Sequence, residues 1–519
     1  MEKKESGKQL QELTKDIKGF LSYLEQNRLL LICVGFFTLL AYGGKLFHQD
    51  ILMDTAVLAC DPDSLLTQWI SIGRFGLVVT KKIFGLVPYC DYIAAFLMVC
   101  GIYFFSLVWS YILTVAATGR HGKSITSCIF PVIFLTSPLF AEQFVYMLQS
   151  CEIAFLMAVC AVSVGAITKW ICKPDCWIYL VLGMVCMVWN MASYQAFINI
   201  YISAVLAVYI LLYVGHVRGT RQYDRKFFRM AVVKYLVTFV SGFAVYFVLN
   251  KIIRKIYCAT TYLDEKILWR SEDVKTCIAN IKNYIKLAIL GEDIFYSKWF
   301  LVMVVMAVVC IAFVVVKYKK SNTLLFLMAF VALVISPFLL SVYLGDALSP
   351  RMQFSYQFTT AFLLYFMVWL VDRQWIRYAG VMIAFVIAFQ QGCVTARLFA
   401  LENRKYEQDL NMAYKIETRV ENLGYGEVPE YPVVFVGNHG PYAATAVNES
   451  VIGISWFQYG GQGQLATYLF QYLGYPYIFP TEEESEKAAE LAGKMECWPD
   501  EDSVKYQDGL IIVKLNDVQ

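Results

Sequence analysis

The stretch from His48 to Gly76, HQDILMDTAVLACDPDSLLTQWISIGRFG, holds the residues best suited to chemistry: Asp50, Asp54, Asp61, Asp63 and Arg74. Neighbouring carboxylates raise one another's pKa, and a raised carboxylate is a better proton acceptor near neutrality. Asp50 and Asp54 are four apart, so a helical turn would set both on one face. Each is a candidate general base, and the plain alternative is a solvated loop. Asp61 and Asp63 read more simply as N-caps to a helix over Ser64–Ile72. Leu65, Leu66, Trp69 and Ile72 of that helix predict that it lies along a membrane interface. Arg74, at its end, suits a phosphate, which a guanidinium holds through two parallel hydrogen bonds; its plain alternative is snorkelling to lipid headgroups.

The rest of the chain must position this stretch. Of 519 residues, 59% are hydrophobic and 16% charged, and the mean hydropathy is +0.54. Too little polar surface remains for a water-soluble protein of this size, so the class is a polytopic helical membrane protein. The net charge of +3 and the lack of a long basic run give no reason to expect nucleic acid. Most of the 15 cysteines, such as Cys33, Cys100, Cys160, Cys186 and Cys310, fall in apolar runs and act as small hydrophobes. Cys60, Cys90, Cys258 and Cys277 fall in polar loops and are candidates for pairing. No C-x-x-C pair occurs and histidines number four, so a zinc or His-based metal site is not expected.

Residues 1–28 form a charged, helix-patterned leader before an apolar run from Leu29 to about Phe47, which reads as a retained anchor. Further spans are placed near 92–118, 125–140, 151–168, 177–190, 196–214, 231–250, 299–316, 323–342, 354–371 and 377–391, about eleven in all. With a cytoplasmic N-terminus, the inward connections carry Arg120 and Lys123, then Lys169 and Lys173, then Arg218, Arg221, Arg225, Lys226 and Arg229. Lys317, Lys319 and Lys320 follow, and finally Arg373 and Arg377. Each is short and net basic, as the positive-inside rule requires. Residues 29–391 are therefore a multi-span domain of a plasma-membrane protein, with the 48–91 loop facing outward.

Residues 392–519 differ in kind. Leu401, Tyr406, Leu410, Ile416, Val420 and Leu423 continue the last span as an amphipathic helix ending near Gly424. Pro432–Gly437 reads as a buried strand, Gln464–Leu473 as a helix, and Thr481 with Glu484 as a capping box opening a helix to about Met495. Val504–Leu515 reads as a hairpin around Asp508-Gly509. The expectation is a small extracytoplasmic α/β domain. Asn448-Glu449-Ser450 matches a glycosylation acceptor and is read as chance.

Glu142 and Gln143, Tyr194 and Gln195, and Asp346 and Arg351 all reach the outward face that carries Asp54. Carboxylates and amides for hydroxyls, with aromatics for ring faces, are the mix a sugar site needs. Few charges lie inside the spans and no internal repeat is evident, which speaks against the main rival, a transporter or flippase of lipid-linked sugars. A third reading is a structural partner whose tail binds glycan.

The acidic loop after the first span, W-x-x-x-GRFG (Trp69, Gly73–Gly76), SPLFAEQ (Ser137–Gln143), SYQAF (Ser193–Phe197) and VVFVG (Val433–Gly437) together resemble the Gtr-type (glucosyl transferase II-like) membrane glucosyltransferases. That resemblance implies a GT-C-like enzyme moving a hexose, glucose by the family, from a polyprenyl-phosphate donor to a cell-surface polysaccharide or glycolipid. It implies Asp54 or Asp50 as base and Glu142 as a second acid; position on the same face adds Arg351 or Arg74 as ligands of the donor phosphate. Gln143, Tyr194, Gln195 and Asp346 would contact sugar. Where adjacent paired acids are expected, Ile51-Leu52-Met53 separates them, leaving the identity of the base open.

A lipid phosphate is already a good leaving group, so one base and one anion clamp would suffice, and direct displacement inverts the anomeric centre. No cofactor is expected, with a divalent metal left open; the absence of a G-x-G-x-x-G or P-loop pattern agrees with a lipid-linked donor. Expected partners are the bilayer, the lipid-linked donor, the glycan acceptor, and a flippase and donor synthase.

Overall fold

The computed structural model describes residues 2–48, 50–257, 266–318, 322–425, 429–440, 452–459 and 464–517. Cys258, Lys319, Lys320 and Asn448–Ser450 lie outside the described residues. In chain order, helix α1 (Glu2–Gln26) leads into α2 (Arg28–Tyr42). The 48–91 stretch, expected to be a loop holding one helix over Ser64–Ile72, forms three short helices, α3 (Met53–Cys60), α4 (Pro62–Ser71), which answers to that expected helix, and α5 (Phe75–Ile83).

Then follow α6 (Asp91–Thr118), α7 (Ile129–Thr136), α8 (Leu139–Val145), α9 (Met147–Cys172), α10 (Trp177–Ser193), α11 (Phe197–Val217) and α12 (Arg225–Ile256). The second half adds α13 (Val274–Leu290), α14 (Trp299–Tyr318), α15 (Thr323–Ile335), α16 (Leu339–Leu344), α17 (Phe354–Leu370) and α18 (Gln374–Asn422).

Crossing a bilayer's hydrocarbon takes about 20 apolar helical residues. Among the described residues eight helices meet that length and composition, nine if the pair Ile125–Thr136 and Leu139–Val145, bent by 59°, counts as one. Two of the eleven expected spans, α10 and α17, are apolar helices of only 17 residues.

Small residues let these helices close up. A Cβ on Gly101 of α6 would stand 2.8 Å from the Ala154 Cβ of α9, and one on Gly165 of α9 2.5 Å from Ile112 of α6. These two contacts also show that α6 and α9 run parallel.

Contacts sort the helix ends into two sets. At one end Ser124 donates to the Asn27 side chain (3.0 Å), Tyr213 meets Thr323 (3.1 Å), and Arg218 pairs with Asp372. At the other end, called here the loop end, lie α3 and α4, the α8–α9 junction, the α10–α11 junction and the turn Pro350–Met352.

Helix α18 leaves the bundle at the loop end. It runs unbroken for 49 residues, about 73 Å at 1.5 Å per residue, as the helical spacing past Leu401 predicts. It carries the chain into a small α/β unit. Strands β1 (Val433–Val436), β2 (Val504–Gln507) and β3 (Leu510–Lys514) form a sheet in the order β1-β3-β2, with β1–β3 parallel and β2–β3 antiparallel. Helices α19 (Leu465–Tyr472) and α20 (Glu482–Ala492) complete it, and α20 opens on the expected Thr481/Glu484 capping box. Val433, Phe435, Ile511 and Val513 share one hydrophobic core with Ile51 and Ala56 from the α3 region, and within it α19 packs directly against α3.

Candidate active site at the loop end of the bundle

Helix α3 begins at Met53 because Leu52 is extended (φ −85°, ψ 163°). Asp54 thus lies in its first turn, while Asp50 falls before the helix. The single helical turn that would pair the two acids does not form. Asp50 is buried and ion-paired with Lys45, whose ammonium stands 5.2 Å from the Phe399 ring centroid. Its charge is committed to that pair, and it is not among the groups that shift Asp54.

Asp54 itself is exposed yet densely surrounded by protein. Desolvation by that surrounding protein raises its carboxyl above the ordinary value of 3.8, while Arg351 and then Arg74 act to lower it. The net direction is upward, the direction a general base needs.

Both cations are held by aromatic faces. Arg74, the residue preceding α5, lies 4.9 Å from the Tyr194 ring centroid, and its buried Nε makes no hydrogen bond. Arg351, in the Pro350–Met352 turn, lies 4.9 Å from the Tyr146 ring and donates to the Tyr146 hydroxyl. Burial works to lower the Arg351 pKa, but Tyr146, Tyr194, Glu142 and Asp54 around it raise it on balance, so the guanidinium stays charged. Stacked guanidiniums are weakly hydrated and pre-oriented, which suits recognition of phosphate.

Glu142 and Gln143 are buried on α8, which packs against the turn that carries Arg351. Neither amide atom of Gln143 has a hydrogen-bond partner in the protein. Buried amides are normally satisfied, so one with neither atom bonded within the protein is open to a hydrogen bond from outside it.

The structure therefore brings together Asp54, Arg74, Glu142, Arg351 and Tyr194. It turns two other sequence candidates aside. Gln195 donates to the Ile72 carbonyl (3.4 Å) and the Tyr246 hydroxyl (3.3 Å), and Asp346 accepts from its own neighbour Ala347 (2.7 Å) within its loop.

Tyr146 and Tyr296 join the site unforeseen. Tyr296 interacts electrostatically with Glu142 and has a left-handed backbone (φ 52°), strain that a bulky residue adopts where its surroundings enforce it. Its only sequence signal was an aromatic in a long polar loop.

The local scaffold has definite causes. Asp61 caps α4 by accepting from Ser64 (3.2 Å), and Pro62 takes the first helical position, where its missing N–H costs nothing. The Leu65, Leu66 and Trp69 face of α4 is buried in the protein, so α4 packs into the bundle instead of lying along the interface. Cys60, Cys90 and Cys277 remain thiols.

Helix α3 is pinned by the α/β unit. The Trp456 indole donates to the Ile51 carbonyl at 2.8 Å. The segment around Trp456 is anchored in turn to α18, where Gly453 donates to Glu402 (2.6 Å) and the Trp456 amide to Asp409 (3.1 Å). Lys405 sits between those acids, 2.6 Å from Glu402 and 3.7 Å from Asp409.

A cavity of about 370 Å³ at the opposite end offers no comparable site. Its acids are already matched, Asp16 with Lys169 at 2.5 Å and Glu12 with Lys173 at 3.4 Å.

The family model described as glucosyl transferase GtrII matches residues 43–370. The chain belongs to the GtrII glucosyl transferase family. It is a membrane glycosyltransferase, acting between a sugar donor and a glycan acceptor. Searches of curated proteins and of solved structures found no match. The GtrII match contains every residue of the Asp54 cluster and ends before α18, so the segments that pin α3 lie outside it.

Proposed function

We propose that this GtrII protein transfers glucose from a polyprenyl-phosphate donor to a surface glycan on the extracytoplasmic side, inverting the anomeric centre. The observation that carries the reading is one exposed, up-shifted carboxylate, Asp54, in electrostatic reach of two aromatic-stacked guanidiniums, Arg74 and Arg351.

In this scheme the acceptor hydroxyl gives its proton to Asp54 as its oxygen attacks the sugar C1. The C1–O bond to the phosphate breaks on the opposite face, and its electron pair leaves with the lipid phosphate. Arg74 and Arg351 offset the charge that grows there, which removes the need for a general acid. Glu142 and Gln143 hold sugar hydroxyls, and Tyr194 and Tyr146 keep the guanidiniums aimed. Asp50, committed to Lys45, supports the loop.

Membranes carrying the wild-type chain or Asp54→Asn, at equal protein levels, would be given a polyprenyl-phosphate glucose donor. Loss of glucose transfer with donor accumulating supports the scheme. Undiminished transfer by Asp54→Asn removes Asp54 as base, and donor that crosses the bilayer without being consumed would favour a flippase.

A further inference from the structure

A lateral groove of about 580 Å³ runs between α5, α10 and α12. Phe75, Val79 and Ile83 form its floor, Val185 and Ala192 one wall, and Leu249 the other. Its one polar donor, the Trp189 indole, is already bonded to Thr80 at 2.9 Å. The surface is otherwise hydrocarbon, and Val79, Ile83 and Val185 are exposed along it.

The groove's upper end decides what it takes. Phe75 and Gly76 follow Arg74 directly. A Cβ on Gly76 would come within 2.7 Å of the Ser193 hydroxyl and 3.0 Å of the Ala192 Cβ, so glycine lets α5 enter flush against α10 just below the guanidinium. Phe75 stacks on Tyr246 at 6.5 Å, and Tyr246 feels both Arg254 and Arg74. Arg254 is fixed there by donating to the Ser71 carbonyl at 2.8 Å. A basic head therefore stands above a wholly apolar slot, and the buried Nε of Arg74 has no hydrogen-bond partner. From Phe75 to Ile83, the nine residues of α5 span eight rises and give the slot a length of about 12 Å.

A second apolar groove of about 420 Å³, between α11, α12 and α15, has no cation among its lining residues. Neither lining holds a cation; the α5–α10–α12 groove differs in that its end at Phe75 and Gly76 adjoins Arg74 of the Asp54 cluster.

We infer that the α5–α10–α12 groove binds the first isoprene units of the lipid-phosphate donor, with the phosphate at Arg74. The inference rests on the proposed donor and adds where its tail lies. It also explains why α5 dips beside α9 and α10: the helix carries the slot's floor down from the phosphate site.

The test uses the full-length protein and a polyprenyl monophosphate bearing a benzophenone within its first isoprene units. Photolabel is expected on peptides spanning residues 75–83 and 184–192. Unlabelled polyprenyl phosphate should compete it away and phosphatidylglycerol vesicles should not. Val185→Trp should raise the KM for a long-chain donor about tenfold, the weight of roughly two buried methylenes, and leave a donor with a one-isoprene tail unaffected.

Label spread evenly round the bundle, label competed equally by phosphatidylglycerol, or label concentrated between α11 and α15 would each overturn the groove while the donor reading stands. A protein that transfers glucose but is neither labelled nor served by any lipid-phosphate donor would overturn both.

Discussion

The Trp456 indole reaches the Ile51 carbonyl across 405 positions of sequence, at 2.8 Å, with the ring fully buried. Ile51 lies three residues before Asp54, so the bond sets where the candidate base sits. Trp456→Phe keeps the ring and deletes the bond, worth about 0.5–1.5 kcal/mol. The expected result is a kcat lowered by up to about tenfold with KM for donor little changed, because the loss is one of alignment. Unchanged kcat in steady-state assays of well-folded protein would leave the indole bond a packing detail.

Asp54→Asn should lower kcat by about a hundred- to ten-thousand-fold, the usual range for a lost general base. The residue is exposed in a first helical turn, so membrane levels and thermal stability should match wild type. A loss of activity that merely follows a loss of protein would argue for a structural role.

The pH profile follows from the direction of the Asp54 shift. The base must be ionised, so activity falls as pH drops through its raised pKa. Arg351 is the stronger of the two cations lowering that pKa, and Arg351→Gln should move the acid limb to higher pH. Arg74→Gln should move it the same way by less. A limb that stays put would separate the guanidiniums from the base.

Arg74→Lys and Arg351→Lys keep the charge but lose the planar stack on Tyr194 and Tyr146 and the two-toothed grip. Donor KM should rise in each while acceptor KM holds. Equal rises in both constants would point to general distortion of the site.

Lys81 on α5 and Glu152 on α9 form an ion pair at 2.7 Å, each about 1% exposed. Glu152→Gln leaves a buried ammonium uncompensated, a loss of about 3–5 kcal/mol, and should be seen as a lower melting temperature and poor membrane yield. The double variant Lys81→Met/Glu152→Leu should recover most of it. If the double variant were no better than the single, the uncompensated charge would not be the cause.

Much of this arrangement was legible from residue order. Apolar runs of helical length and short basic turns located the bundle, and caps and turn residues located the small sheet unit. Arg74, Arg351, Glu142 and Tyr194 were found because polar groups at helix ends face the same way. Spacing misled at Asp50, since four residues apart implies one face only if the chain between is helical, and Leu52 is not. The partner of Asp50 was also hidden, because Lys45 lies inside the apolar run that ends near Phe47. Composition made α4 an interfacial helix, while its Trp69 face had protein to bury against. Tyr296 and Trp456 were out of reach, because both act through contacts distant in sequence.

The unbroken run of α18 gives the molecule a phase as well as a length. Each residue of an α-helix turns the chain by about 100°. One residue inserted between Cys393 and Leu401 would swing the sheet unit round the helix axis and carry Trp456 away from Ile51. Four inserted residues bring the rotation nearly back, displaced by about 6 Å along the axis. The α/β unit is thus geared to α3, and a chimera joining this GtrII bundle to a foreign tail must keep that gearing to keep Asp54 in place.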